Sequence, residues 1–112
     1  MLNLISRDFL ANLLHIYSII DNKNMKNFDL SDLVKAHKTS STHRKLLSES
    51  TKCGCFYCLS IFDYEQINEW IDFDDTALCP TCGIDSVIGG ASGFPITQEF
   101  LKAMQQYYFQ FN

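Results

Sequence analysis

The spacing of apolar residues predicts one helix near each end of the chain. Residues 6–20, SRDFLANLLHIYSII, repeat apolar side chains at helical intervals on one face, and Ser6 stands at the N-cap position. Near the other end, Pro95 and the N-cap residue Thr97 mark the start of a helix whose apolar face continues through Tyr108. We expect these two helices to be the longest of the fold.

Three shorter helical segments are predicted between them. Residues 28–38 are typical of a helix capped by Asp29 or Ser31, and residues 43–50 could add another turn or two. A third begins at a capping box formed by Asp63 and Gln66, and its apolar stripe comprises Tyr64, Ile67, Trp70 and Ile71. Negative charge is unfavourable at a helix C-terminus, so a loop is expected to hold the acids that follow: Asp72, Asp74 and Asp75.

The strand signal lies in residues 76–90, TALCPTCGIDSVIGG. This segment predicts a short strand, a tight cysteine turn and a second short strand closed by Gly89 and Gly90. Together with the helices it predicts an α+β fold in a single domain, residues 1–112. Residues 1–50 would form a mainly helical part, and residues 51–112 a metal-binding part with the C-terminal helix.

Five cysteines fall in two clusters, TKCGCFYC at 51–58 and CPTCG at 79–83. Each cluster contains a C-x2-C pair, and twenty residues separate the two pairs, which is the spacing of a tetrahedral zinc site. Four thiolates leave no open position on the metal, so the spacing predicts a structural zinc ion; an iron site like that of rubredoxin is the lesser alternative. The predicted ligands are Cys55, Cys58, Cys79 and Cys82.

The two cysteine turns differ in their glycines. In the second turn, Pro80 restricts the backbone and Gly83 can adopt the left-handed conformation that commonly follows such a turn. In the first turn, Leu59 stands where Gly83 stands in the second. The first turn is therefore the weaker signal.

Cys53 is left over from the two pairs and has three interpretations. Two residues from Cys55 in an extended segment, it would lie on the same side of the strand. It could be a small buried residue, an alternate metal ligand, or a reactive thiol activated by Lys52 or a histidine.

Other residues that could carry chemistry are two histidines and the pair that follows the second cysteine turn. For His37 and His43 the first interpretation is solvated side chains; alternatives are a base for Cys53 or ligands of a second metal. Asp85 and Ser86 could join Cys53 and a histidine in an enzyme site, but such residues more commonly satisfy backbone groups in a turn. An enzyme is the less favoured class.

Charge is distributed unevenly along the chain. The net charge is −4, with +3 in residues 1–52 and −7 in residues 53–112. A nucleic-acid-binding zinc ribbon is therefore an alternative function, although the acidic second half opposes it. Its phosphate contacts would come from Lys35, Lys38, Arg44, Lys45 and Lys52.

The first twenty residues lack the pattern of a secretion signal or a membrane span. Arg7, Asp8, Asn12 and His15 interrupt the apolar run, and no basic segment precedes it. We therefore expect a cytoplasmic protein that does not associate with membranes. In a reducing compartment, clustered cysteines favour metal binding over disulfides.

Four segments between about His37 and Phe109 carry a family resemblance: CGCFYC, EQINEWI, TALCPTCGIDSVIG and PITQEFL. In these motifs the chain resembles a family of small uncharacterised bacterial cytoplasmic proteins with a CGCFYC…CPxCGIDSVIG signature. The two facing turns also resemble those of zinc ribbons. The resemblance implies a bacterial cytosolic source and supplies no activity. The closed four-cysteine site, the acidic C-terminal half and the lack of a complete catalytic triad or phosphate loop favour an interaction or adaptor module that binds another protein.

Overall fold

The computed structural model describes residues 28–109, which form an α+β fold. The predicted helix over residues 6–20, with its cap Ser6, lies outside the described residues. Three α-helices are described: α1 (Leu30–Lys38), α2 (Arg44–Ser48) and α3 (Gln98–Phe109). Five short strands lie between α2 and α3: β1 (Cys53–Cys55), β2 (Ile61–Phe62), β3 (Trp70–Ile71), β4 (Thr76–Ala77) and β5 (Val87–Gly89).

The ends of the helices follow the predicted caps. Asp29 is the N-cap residue of α1, in an extended conformation. Thr97 precedes α3, and its hydroxyl accepts a hydrogen bond from the Phe100 N–H at 3.2 Å. That bond satisfies one of the backbone donors that a helix N-terminus leaves unpaired.

The predicted helix after Asp63 is wrong beyond its first turn. The capping box of Asp63 and Gln66 is present, but the helix is a single 3₁₀ turn, Tyr64–Gln66. The chain then extends, and Trp70 and Ile71 pair with Ala77 and Thr76 as an antiparallel ribbon. Aromatic and β-branched residues suit a strand, and pairing with β4 satisfies their backbone groups, so the long-range contact overrides the local helical spacing.

The other three strands form an antiparallel sheet in the order β2-β1-β5. Cys53 lies opposite both Phe62 and Gly89, and Cys55 lies opposite Val87. The two strands predicted around the second cysteine turn are present, but β4 and β5 belong to different sheets. The turn therefore links the two sheets.

Strand β1 divides the core into two clusters. Cys53 and Cys55 lie in one cluster with residues of α2, β2, β4 and β5, which agrees with the expectation that they share a face. Gly54 faces the other way, where a Cβ atom would come within 2.9 Å of the Ile96 and Leu101 side chains. The missing side chain lets the segment leading into α3 approach the sheet, and α1 and α3 pack together there.

Candidate metal centre

The two C-x2-C turns have the same backbone geometry. In the first, the Tyr57 N–H donates to Cys55 Sγ at 3.3 Å, and the Leu59 N–H donates to the Cys55 carbonyl at 2.8 Å. In the second, the Thr81 N–H donates to Cys79 Sγ at 3.3 Å, and the Gly83 N–H donates to the Cys79 carbonyl at 2.9 Å. The structure thus contains two copies of one cysteine turn.

A matching hydrogen bond closes each turn. The Cys55 N–H donates to the Ser60 carbonyl at 3.0 Å, and the Cys79 N–H donates to the Ile84 carbonyl at 2.9 Å. Each chain segment therefore folds back on itself and holds its cysteine pair on one side.

Leu59 adopts the backbone conformation that was expected of a glycine. Its φ of 68° is close to the φ of 81° at Gly83. Left-handed backbone is unfavourable for leucine, but its side chain packs against the α1–α3 cluster and its carbonyl accepts a hydrogen bond from Gln98 Nε2 at 2.9 Å. Burial of the side chain thus offsets the strain of the first turn.

The facing turns bring four sulfur atoms together. The Sγ atoms of Cys55, Cys58, Cys79 and Cys82 all lie within 4.8 Å of one another. Cys55 and Cys82 are 3.7 Å apart, as are Cys58 and Cys79. A tetrahedral ion with metal–sulfur bonds of about 2.3 Å needs sulfur atoms separated by about 3.8 Å. These residues therefore fit a four-coordinate metal ion.

Burial and hydrogen bonding act oppositely on the thiols. Burial raises the pKa of Cys55. It also raises the pKa of Cys82, which is less deeply buried. Burial also works to raise the pKa of Cys79, but the Cys82 N–H, the Ser60 hydroxyl and the Thr81 N–H together lower it to about 7. Cys79 thus has the strongest support for the thiolate form that a metal requires.

Ser60 is part of this site, although it was not among the predicted site residues. Its hydroxyl lies 3.2 Å from Cys58 Sγ and 3.6 Å from Cys79 Sγ, one sulfur from each turn. A hydroxyl can donate to only one sulfur at a time, and either bond favours a thiolate. Nothing in the C-x2-C spacing indicates this contact, because the fold of the first turn creates it.

Cys53 is buried and is not a member of the four-sulfur group. The nearest polar contact of its Sγ is the Leu47 carbonyl at 4.0 Å. Burial, with smaller contributions from Asp63 and Glu65, raises the pKa of Cys53 to about 11. Lys52, proposed as its activator, instead forms an ion pair with Asp63 at 2.9 Å. This environment suits a small packed residue.

The interpretation of His43 as a solvated side chain is wrong. The ring is 4% exposed; its Nδ1 lies 2.6 Å from the Thr39 carbonyl, and its Nε2 accepts from the Ala77 N–H at 3.1 Å. These two partners require the neutral tautomer with the proton on Nδ1. Both nitrogens are occupied, so His43 is not positioned as a base for Cys53. His37 is exposed and stacks on Tyr108, with ring centroids 4.1 Å apart.

Asp85 and Ser86 follow the second turn without joining a catalytic arrangement. Asp85 is exposed, whereas Ser86 is buried and its carbonyl accepts from the Phe56 N–H at 2.9 Å. That bond joins the two cysteine turns to the sheet. Within residues 28–109, the four cysteines are the one group of histidine, cysteine and acidic side chains with the geometry to hold a metal ion.

Three of the five basic side chains that were predicted to contact phosphate form contacts with other groups of this protein. Arg44 lies over the Trp70 ring at 4.1 Å, and its Nη1 donates to the Asp74 carbonyl at 3.0 Å. Lys45 forms an ion pair with Glu49, and Lys52 forms the pair with Asp63. The other two cations, Lys35 and Lys38, are exposed on α1.

No protein-family model, curated protein or solved structure matches the chain. None of the helices within residues 28–109 has the length and apolar character needed to cross a membrane.

Proposed function

We propose that the four cysteines bind one structural Zn²⁺ ion, which joins the two cysteine turns as in a zinc ribbon. The observation that carries this proposal is the duplicated turn, whose four sulfur atoms have the separations of a tetrahedral site. The backbone N–H groups that point at Cys55 and Cys79 would stabilise the negative charge of a tetrathiolate complex. The ion would hold the two sheets together through the turn that links them.

Elemental analysis of the purified protein tests the identity of the metal. We expect one zinc ion per chain and a colourless protein, because zinc has a filled d shell. A coloured protein with one iron ion per chain would support a rubredoxin-like site instead. A protein that folds with neither metal would contradict the proposal.

Replacing Cys53 by serine is expected to leave the zinc content at one ion per chain. Cys53 lies outside the four-sulfur group, and serine removes its sulfur with little change in volume. Elemental analysis of the variant, purified beside the parent protein, makes the measurement. Loss of zinc from this variant would show that the ligand set contains Cys53.

Replacing Gly83 by alanine is expected to accelerate zinc release by ~10-fold. An added Cβ meets no atom within 4 Å, so the effect comes from the backbone, whose φ of 81° costs an L-residue about 1–2 kcal/mol. Release to a chromogenic chelator is timed while the protein stays folded. Gly93→Ala is the matched control, with a φ of 97° and the same open surroundings but no contact with the cysteine turns. Equal release rates for the two variants would contradict the assignment.

The same site supports a protein-interaction module rather than an enzyme. Four sulfur ligands leave no coordination position for a water molecule or a substrate. The residues proposed for catalysis have separate partners: Cys53 packs against Leu47, and His43 binds Thr39 and Ala77. The zinc ion would then serve to hold a small binding surface in shape.

Among binding functions, a protein partner is favoured over nucleic acid. The chain has a net charge of −4, its second half is acidic, and the Arg44 guanidinium lies over Trp70 and donates to the Asp74 carbonyl, all of which oppose phosphate binding. A titration of a labelled single-stranded oligonucleotide at 50 mM salt is expected to show no binding. Saturable binding that weakens steeply with salt would favour the nucleic-acid alternative.

The same proposal places the protein in the cytosol of a bacterium. It is supported by the CPTCGIDSVIG motif and by cysteine clusters that suit metal binding in a reducing compartment. Capture experiments in extracts of the source organism, with zinc-loaded and chelator-treated protein side by side, test the adaptor role. A protein partner should bind the zinc-loaded form alone, and capture of no protein would contradict the role.

A further inference from the structure

Among residues 28–109, a phenylalanine at the tip of the β3–β4 ribbon has a fully exposed side chain. The Phe73 side chain is 104% exposed, more than any other large apolar side chain in the described part of the chain. Ile71, at the end of β3, is 40% exposed beside it. An aromatic ring held entirely in water gives up the free energy that burial would supply, so packing within residues 28–109 does not explain its presence.

The backbone at this tip is strained in three consecutive residues. Asp72, Phe73 and Asp74 have φ values of 56°, 59° and 66°. Left-handed backbone is tolerated by aspartate but is uncommon for a bulky aromatic residue. Strain of this kind persists only where surrounding contacts enforce it, and it is concentrated at functional positions.

Those enforcing contacts come from the start of α2. The His43 N–H donates to the Asp75 carbonyl at 2.7 Å, and the Arg44 N–H donates to Asp75 Oδ1 at 3.0 Å. Arg44 also spans the ribbon, with its guanidinium over Trp70 and its Nη1 on the Asp74 carbonyl. The side of the turn formed by Asp74 and Asp75 is thus fixed before any partner arrives, which reduces the entropy lost on binding.

The charges around the Phe73 ring indicate what kind of partner surface could bind this ring. Asp72 and Asp74 flank Phe73 and are exposed, as is Glu69 on the strand side. The chain has eight acidic residues and no lysine or arginine from Cys53 to Leu101. Neither of the ion pairs found among residues 28–109 involves Asp72 or Asp74, so their charge remains available to a partner. Such a surface repels phosphate backbones and anionic membranes.

We infer that Phe73 is a docking residue, which inserts into an apolar pocket rimmed by lysine or arginine on a partner protein. Asp72 and Asp74 would pair with that rim and orient the ring. This inference rests on the proposed interaction function and assigns its contact surface. A second copy of the chain is a poorer match, since each copy carries a net charge of −4 and like charges oppose their association.

Photo-crosslinking tests the position of the contact. The zinc-loaded protein carries p-benzoylphenylalanine in place of Phe73 or, as a control, in place of Tyr107, which is 44% exposed on α3. After illumination in cells of the source organism, mass spectrometry locates the linked residue. We expect position 73 to link to one protein, at apolar residues flanked by lysine or arginine.

Links from position 73 to a second copy, to lipid or to nucleic acid would overturn the inference. Links from position 107 without any from position 73 would also overturn it. Links from position 107 to a protein would leave the interaction function standing while removing Phe73 from it. Absence of protein links from both positions would contradict the interaction function itself.

Binding of the identified partner, once purified, gives the second test. Phe73→Ser is expected to weaken affinity by about 30-fold or more, as for a buried aromatic anchor, while zinc content and thermal stability stay unchanged. Asp72→Asn with Asp74→Asn should weaken binding and flatten its salt dependence. The charge-matched control, Glu65→Gln with Glu99→Gln, should do neither. Affinity of Phe73→Ser within threefold of the parent protein would overturn the assignment.

Discussion

Replacing Cys79 by serine is expected to remove the metal and unfold residues 28–109. Cys79 is 3% exposed and has a sulfur from the other turn 3.7 Å away, so its loss opens the centre of the site. Binding of a structural zinc ion contributes on the order of 10 kcal/mol to folding. The whole stability of a small domain is of similar size, about 5–15 kcal/mol, so the variant should not fold at ordinary temperature. Elemental analysis and circular dichroism during heating make the measurement.

Two comparisons separate the metal from the cysteine. Cys53→Ser also replaces a buried cysteine thiol, and it should keep both zinc and a cooperative thermal transition. Treating the parent protein with a strong chelator should reproduce the unfolding of Cys79→Ser without any substitution. If Cys79→Ser kept a transition within a few degrees of the parent, the four-cysteine site would not be what holds the fold together.

Replacing His43 by alanine is expected to lower the free energy of unfolding by about 3 kcal/mol, because it leaves a buried N–H and a half-buried carbonyl without partners. The ring joins the Thr39 carbonyl at the end of α1 to the Ala77 N–H in β4, a bridge that alanine cannot make. Chemical denaturation of zinc-loaded protein measures the change. His37→Ala is the control, because that ring is exposed and packs on the rings of Tyr108 and Phe56 without bridging two backbone groups. Equal losses in the two variants would contradict a bridging role for His43.

The same histidine should make stability depend on pH. Burial lowers the pKa of His43 below its ordinary value of 6.5, against smaller opposing effects of the Thr39 carbonyl and Asp75. The unfolded chain therefore binds a proton more readily than the folded chain does. The stabilising contribution is complete above pH 6.5 and is lost as pH falls below that value toward the lowered pKa of the folded state.

The pH profile of His43→Gln isolates this contribution. Glutamine does not ionise in this range, so the variant should lose less stability between pH 7 and pH 5 than the parent protein. Acid also releases zinc from any thiolate site, and that loss is common to both proteins. The difference between their denaturation profiles therefore reports on His43 alone. Profiles that stay parallel over the whole range would contradict the assignment.

Features with a local origin were predicted well. The C-x2-C pairs indicated which sulfurs come together, since two residues are the spacing that a cysteine turn requires. The caps at Asp63 and Thr97 were correct for the same reason, since each depends on a group three residues away. Asp29 is also at the N-cap position, although its side chain makes no capping hydrogen bond. Even so, spacing alone suggested that Leu59 weakened the first turn, whereas packing of its side chain compensates for the missing glycine.

Features that depend on distant partners were missed or left open. Trp70 and Ile71 fit a helical stripe, and only pairing with β4 makes them a strand. His43 was expected in water because its neighbours along the chain are polar or charged; it is buried by groups 4 and 34 residues away. The exposure of Phe73 was equally unpredictable, because a single phenylalanine among acids carries no signal of its direction.

The sequence by itself determined the chemistry available to this protein: two C-x2-C pairs that suit a metal ion, a fifth cysteine of open role, and an acidic second half. These follow from residue identity and short-range spacing, which no tertiary contact can alter. Only the tertiary structure decided which side chains are buried, which contact other groups of the protein and which are exposed to solvent. It places Cys53 and His43 in the core, binds Arg44 to the β3–β4 ribbon and leaves Phe73 in solvent. Burial and partnership are properties of the packed chain, because they depend on residues far apart in sequence.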